Sequence, residues 1–362
     1  MIENNPYFNH HPDCCSDYIT DPSESRPGIH CLHDKLFVVT VIFDPLRFRS
    51  RYWNFELFQK HIENSGAILY TAEIALGRRE FEITSPDNPR HLQLRVDGDI
   101  QEIWLKENAL NILISRLPPE ANYIAWIDAD IKFARPDFAQ ETIQLLQHYD
   151  FLQMFSHGQD LGVNYEPSVM TPAFVYSKFK EQDKFVERIK EGYYYGIMRK
   201  GIKGREWAYA HPGFAWAARK EALSKVGGLI DWTILGSGDW VMANALYGQV
   251  ERTINPGYSD SYKKLCYTWQ DRALKHIRKN VGYMPGTIFH YFHGEKKDRN
   301  YDQRWRLLVN TKFDPITDLK KDVQGLYQLQ DDGTERFIEL RDGLRKYSRL
   351  RNEDTNIGII VP

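Results

Sequence analysis

Asp128 and Asp130 stand either side of Ala129 at the end of an apolar run, YIAWIDAD at 123–130. A short run of this kind reads as a buried parallel strand. Its carboxyl end is where open α/β sheets place their ligands. Two carboxylates there suit a divalent cation that holds a diphosphate. The plainer alternative is a pair of loop acids closing an Asx-turn ahead of Arg135 and Pro136.

A second constellation is GSGDW at 236–240. Gly236 and Gly238 let backbone approach a ligand closely, and Asp239 follows at the expected start of a helix. That position suits a simple N-cap. It also suits a general base, because a helix N-terminus keeps a carboxylate ionised and ready to take a hydroxyl proton. A third constellation is HYFHGEKKDRNYDQRW at 290–305, with His290, His293, Lys296, Lys297, Arg299 and Arg304. An imidazole can complete a cation site, and the basic side chains can neutralise a departing phosphate. Of the two histidines, His293 is the favoured ligand; a satisfied structural role is the alternative for each. Asp44, Pro45, Arg47 and Phe48 end the first expected strand and could receive a nucleobase or ribose. Lys106 and Asn111 lie on the helix that precedes the acid-bearing strand. For these residues an ordinary surface role competes with ligand contact.

The elements that must position these side chains are legible as periodicity. Strands are expected at 36–43, 67–76, 123–127 and 151–155, and helices at 51–64, 102–117 and from Pro136 to about His148. A polar, hairpin-like insertion is expected between 77 and 98. The β-α-β order predicts an α/β fold: a mostly parallel sheet with helices on both faces and right-handed crossovers. Further on, a basic helix is expected near 176–191. A strand and a helix stopped by Gly227 and Gly228 should follow, and another helix from Asp239. Boundaries fall at 1–34, a polar arm, at 35–312, the single main domain, and at 313–362, a helical tail.

Composition narrows the function classes. A formal net charge of -2 gives no overall bias toward nucleic acid or membrane. Aromatic residues make up 14%, which suits a cleft with flat walls. No apolar stretch is long enough to span a bilayer. The N-terminus has no basic-then-apolar leader pattern, and the cytoplasm is the expected location. His10, His11, Cys14, Cys15, His30, Cys31 and His33 cluster in the arm, at spacings that match no standard zinc finger. Arg336, Arg341, Arg345, Lys346, Arg349 and Arg351, with Tyr347 among them, could follow a phosphate backbone. Glu335, Glu339 and Asp342 offset them.

Taken in order, these motifs resemble nucleotide-sugar glycosyltransferases of the GT-A fold over roughly residues 35–320. Asp128-x-Asp130 is similar to that family's metal and nucleotide motif. GGL…LGSGDW (227–240) resembles the acceptor side of inverting β-1,4-galactosyltransferases, with one acid, Asp239, where those enzymes carry a pair. His293 in HYFHG is similar to their downstream metal-binding histidine. The 290–319 region resembles glycosyltransferases of tailed bacteriophages. The resemblance implies a Rossmann-like GT-A domain, with a nucleotide-binding half at 35–155 and an acceptor half at 156–312. It implies transfer of a hexose or pentose from a nucleoside diphosphate sugar, with a UDP-sugar the expected donor, to an acceptor hydroxyl with inversion. Mn²⁺ or Mg²⁺ would be held by Asp128, Asp130 and His293. The donor would meet Asp44, Pro45, Arg47, Lys106, Asn111, Asp128, Lys296, Lys297 and Arg299. The acceptor would meet Gly236, Gly238 and Trp240, with Asp239 as base. The acceptor itself stays open between a 5-hydroxymethylpyrimidine of phage DNA in the host cytoplasm and a glycan or protein hydroxyl. The competing readings are a retaining transferase, a nucleotidyltransferase, and a non-enzymatic sugar- or DNA-binding module. The missing Gly-rich phosphate loop in FDPLRFRSR argues against the nucleotidyltransferase.

Overall fold

The first strand, LFVVTVIF, is buried along nearly its whole length because branched and aromatic side chains point to both faces. A computed structural model describes residues 34–179, 198–200, 206–208, 210–295 and 304–354. In chain order the described elements are β1 (Leu36–Phe43), α1 (Arg49–Asn64), β2 (Ile68–Leu76), β3 (His91–Val96), α2 (Lys106–Ser115), β4 (Tyr123–Ile127), β5 (Ile131–Phe133) and α3 (Phe138–Leu145). Then come β6 (Phe151–Gln153), β7 (His157–Leu161), β8 (Pro167–Pro172), α4 (Phe174–Phe179), β9 (Met198–Lys200), β10 (Glu206–Ala208), β11 (Ala215–Arg219), α5 (Lys220–Val226) and α6 (Gly238–Leu246). The chain continues with α7 (Asp260–His276), β12 (Val281–Tyr283), β13 (Thr287–His290), α8 (Trp305–Asn310), β14 (Leu319–Lys321), β15 (Tyr327–Leu329) and α9 (Glu335–Arg349).

The central sheet has seven strands in the order β12-β6-β11-β4-β1-β2-β3. Neighbours are parallel except around β11, which runs antiparallel to both β4 and β6. The fold is therefore α/β with a mixed, mostly parallel sheet, as the element order predicts. Alternation along β1 splits the core in two. Phe37 and Val39 face one layer with Leu110 of α2, Leu223 of α5, Met242 of α6 and Trp269 of α7. Leu36 and Val38 face the other with Phe55 and Phe58 of α1 and Phe138 of α3. Phe138 is fully buried and stacks on Phe133 with ring centroids 4.1 Å apart. Phe138→Ala is expected to cost about 3–5 kcal/mol of stability, read as a lower midpoint in urea unfolding.

Two expectations change. The 77–98 segment is not a hairpin: it returns as β3, parallel to β2. The buried carboxylate of Glu73 organises the intervening loop, accepting from the backbone N–H of Glu82, Ile83 and Thr84 and from Thr84 Oγ1 at 2.7–3.1 Å. The 313–354 segment carries the β14–β15 hairpin as well as α9, and Phe337, Leu340 and Leu344 dock α9 on the core. The stop after α5 is as expected: Gly227 sits at φ 86° in the left-handed region. The Cys/His cluster of the arm and most of the expected 176–191 helix lie outside the described residues. Among the described residues no helix is long and apolar enough to cross a membrane.

A second sheet, β5-β13-β7-β8, stands at the edge where β4 ends. Its register positions the site. Antiparallel pairing sets His290 of β13 opposite Ile131 of β5, the residue after Asp130. Parallel pairing sets the same His290 opposite Asp160 of β7.

Candidate active site

Register thus brings Asp130, His290 and Asp160 together, and the chain beyond β13 adds His293. The backbone is pinned there by Tyr291 N donating to Asp130 O at 2.9 Å. His293 Nε2 lies 3.3 Å from Asp130 Oδ2 and 2.9 Å from His290 Nε2. His290 Nε2 lies 3.7 Å from the same Asp130 oxygen. One ligand atom from each residue falls within 4.8 Å of the others. Neighbouring ligands of a cation bound at about 2.1 Å are spaced by about 3 Å, so these residues fit a divalent cation. Both imidazoles direct Nε2 to the common point. His290 Nδ1 meets Asp160 Oδ1 at 2.7 Å, which fixes Nε2 as the outward nitrogen. Burial works to lower the His290 pKa, but Asp130 and Asp160 outweigh it and carry it up to about 9. The site is built to hold positive charge.

Asp128 stands outside this trio. Its carboxylate pairs with Lys106 Nζ, and its backbone N–H donates to Phe214 O at 2.8 Å. Burial raises the Asp128 pKa, Lys106 pulls it back, and the neighbouring Asp130 raises it again. Among the described residues, the group that could hold a metal ion is therefore Asp130, His290 and His293; it includes His290 and not Asp128.

Asp239 lies in the first turn of α6, behind Ser237 at the cap position. Its Oδ1 accepts from Trp240 N at 2.8 Å. Its other oxygen occupies the space beside Gly213, where a Cβ would come within 2.3 Å of it. Gly238 is equally constrained: a Cβ there would meet Ile230 O at 2.8 Å and the Glu107 side chain at 3.2 Å. Glu107 is a site residue that the sequence reading missed. It lines a small pocket with Lys106, Asp128 and Asp239, and its Oε2 accepts from Trp104 Nε1 at 2.7 Å. Burial pushes its pKa up to about 7; Lys106 opposes this and Asp239 adds to it.

A raised carboxyl pKa has a signed consequence. Between the ordinary value of 4.5 and about 7 the folded state holds a proton that the unfolded state has lost. Stability therefore falls as pH rises through that window. Glu107→Gln should match the parent at pH 4 and exceed it by about 1–2 kcal/mol at pH 8, measured by urea unfolding at the two pH values.

A cleft of about 640 Å³ joins these groups. It brings together Asp44, Pro45, Lys106, Asp128, Asp130 and His293 with Gly236, Asp239 and Trp240. Asp44 Oδ1 accepts from Leu46 N at 3.1 Å, while its buried Oδ2 has no hydrogen-bond partner among the described residues. Two predicted donor residues are not brought in. Arg47 turns out to pair with Glu82. Asn111 braces the 228–231 turn through Leu229 and Asp231. Lys296, Lys297 and Arg299 lie outside the described residues. Arg304 does reach the cleft, donating to Tyr347 Oη at 2.8 Å and to Ser237 Oγ. Arg51 lines it too, bound to Glu353 at 2.5 and 2.8 Å. Asp160, Glu107, Arg51 and Glu353 carried no local motif; each became visible only through its neighbours.

No protein-family profile matches the chain, and no curated protein does. Among solved structures, a mutant of Drosophila β1,4-galactosyltransferase 7 in complex with manganese, UDP-Gal and xylobiose aligns at 12% identity and a TM-score of 0.30. The alignment covers 59% of this chain and 62% of that one, so this chain spans less than two thirds of that relative's length. A glycosyltransferase involved in glycosylation of the major capsid of PBCV-1 aligns at 9% identity and a TM-score of 0.27, over 85% of this chain and 98% of that one. Mouse xyloside xylosyltransferase 1 aligns at 11% identity and a TM-score of 0.21, over 71% and 96%.

Proposed function

We propose that this protein is a metal-dependent glycosyltransferase that moves a sugar from a nucleoside diphosphate donor, a UDP-sugar, to an acceptor hydroxyl with inversion. One observation carries the reading: a cation-binding trio and the carboxylate of Asp239 line the same cleft at the carboxyl edge of the sheet. Mn²⁺ or Mg²⁺ held by Asp130, His290 and His293 would supply Lewis-acid neutralisation of the diphosphate. Asp44 lines the cleft with one carboxylate oxygen unpartnered among the described residues, which suits a ribose hydroxyl. Lys106 and Arg304 add fixed positive charge for the leaving group.

Asp239 acts on the acceptor. As the hydroxyl oxygen bonds to the anomeric carbon, its proton passes to the Asp239 carboxylate, and the old glycosidic electron pair leaves with the diphosphate. Glu107, kept as the neutral acid below about pH 7, adds no like charge beside that base. For the acceptor, Trp104, Trp240, Tyr258 and Tyr347 give the cleft flat apolar walls, which supports a carbohydrate. The arginines that could track a phosphate backbone are engaged elsewhere. Arg336 binds Asp318 and Asp332, Arg341 binds Asp342, Arg345 and Arg349 bind Glu102, and Arg351 binds Glu353. This favours a glycan hydroxyl over DNA.

The deciding experiment incubates the protein with Mn²⁺ and a panel of UDP-sugars. Parallel reactions contain glycan acceptors, or DNA carrying 5-hydroxymethylcytosine or 5-hydroxymethyluracil. Mass spectrometry reads the products, and NMR reads the new anomeric configuration. A glycan gaining one sugar, abolished by EDTA, supports the reading. A DNA adduct would reassign the acceptor. Absence of both turnover and metal-dependent nucleotide binding would remove the transferase reading.

A further inference from the structure

The two imidazoles of the cation group are held in different ways. His290 belongs to β13, and strand register fixes it against Asp130 and Asp160. His293 follows the strand in irregular chain, where no ladder sets its direction. Yet it too has a carboxylate facing Nδ1: Glu353 Oε2 lies 3.8 Å away. Glu353 is 1% exposed and comes from beyond α9. Both histidines thus turn Nε2 toward Asp130 and Nδ1 toward a buried acid.

The segment that delivers Glu353 is anchored on every side. Arg51 grips both carboxylate oxygens at 2.5 and 2.8 Å, and Arg351 adds a contact at 3.0 Å. Burial would raise the Glu353 pKa, but Arg51 and Arg351 hold it well below the usual carboxylate range. Asp354 accepts from Arg49 N, Ser50 N and Ser50 Oγ at 2.9–3.0 Å, occupying the start of α1. The His293 side of the contact is shaped to receive the segment. Gly294 sits at φ 90°, and a Cβ there would come within 2.7 Å of Asn352 O and 2.9 Å of Glu353 Cα. Only glycine permits so close a crossing. From the other side, Asn54 Nδ2 donates to Phe292 O at 3.2 Å. The His293 loop is therefore clasped between α1 and residues 351–354.

We propose that residues 351–354 form part of the metal centre, with Glu353 as the positioning residue that aims His293 at the cation. The inference rests on the cation-site reading above. The Glu353 carboxylate, 3.8 Å from Nδ1, draws the ring proton to that side and leaves the Nε2 lone pair for the cation. Arg51 shares the same carboxylate and lines the cleft, so the segment ties the donor side to the cation side.

The test uses the full chain and Mn²⁺ alone, with bound metal read from loss of the free-ion EPR signal. Glu353→Gln keeps the shape of the side chain but removes its charge, and should weaken Mn²⁺ binding by about 10- to 100-fold. Asp130→Ala and His293→Ala should abolish it. In the unaltered protein, saturating Mn²⁺ should slow tryptic cleavage after Arg351 several-fold, because coupling between the cation and the docked segment is reciprocal. Wild-type affinity in Glu353→Gln, with cleavage indifferent to Mn²⁺, would overturn the inference if Asp130→Ala still loses the ion. Wild-type affinity in Asp130→Ala would instead overturn the cation site itself. Should Glu353→Gln fail to fold, the proteolysis of the unaltered chain decides.

Discussion

Replacing Asp130 with alanine should abolish Mn²⁺ binding and reduce sugar transfer by about 100- to 1,000-fold, since Lewis-acid stabilisation is worth several kcal/mol. Asp130 is the only carboxylate in the trio, so the substitution removes the group's only formal negative charge along with one ligand. The two remaining imidazoles, with Nε2 atoms 2.9 Å apart, would share a proton where they could have shared a cation. The effect should exceed that of any outer partner such as Asp160, whose loss is expected to cost about 10- to 100-fold in affinity. Mn²⁺ titration and donor turnover, measured on the same preparation, check the two halves of the expectation. Unchanged affinity would mean that the trio does not hold the ion.

Asp239→Asn should lower transfer by about 100- to 10,000-fold, the usual worth of a positioned general base. Donor affinity and Mn²⁺ affinity should stay at the parent values. Asparagine can still accept from Trp240 N and still fit beside Gly213, so geometry survives while proton affinity is lost. Donor titrations followed by tryptophan fluorescence, beside initial rates of transfer, separate binding from chemistry. Full activity in Asp239→Asn would rule Asp239 out as the base.

Much of the architecture was legible before any coordinate. Continuous apolar runs bounded by Gly and Pro reported β1, β2 and β4, because a strand buried on both faces has no room for polar residues. The position of Asp128 and Asp130 at a strand end followed from the same pattern, as did Asp239 at the start of a helix. These are local facts, carried by backbone preference and burial over a few residues. The 77–98 segment was misread because its organiser, Glu73, is a buried acid inside an apolar strand. Nothing in local periodicity announces a carboxylate that folds a distant loop.

What the sequence determined by itself was the inventory: an α/β chain with acids at strand and helix ends and a pair of histidines three residues apart. What tertiary structure alone decided was the partnership among them. Asp128 and Asp130 look equivalent in a motif, yet Lys106 claims the first and the two histidines claim the second. His290 outranks its sequence prospects because the β13 register places it opposite both Ile131 and Asp160. The arginines between 336 and 351 look available until Asp318, Glu102 and Glu353 are seen against them. Composition and spacing specify each residue's chemistry, but coordination and ion pairing act over about 2–4 Å. Separations that short between distant parts of a chain exist only after sheet register and helix packing have closed them.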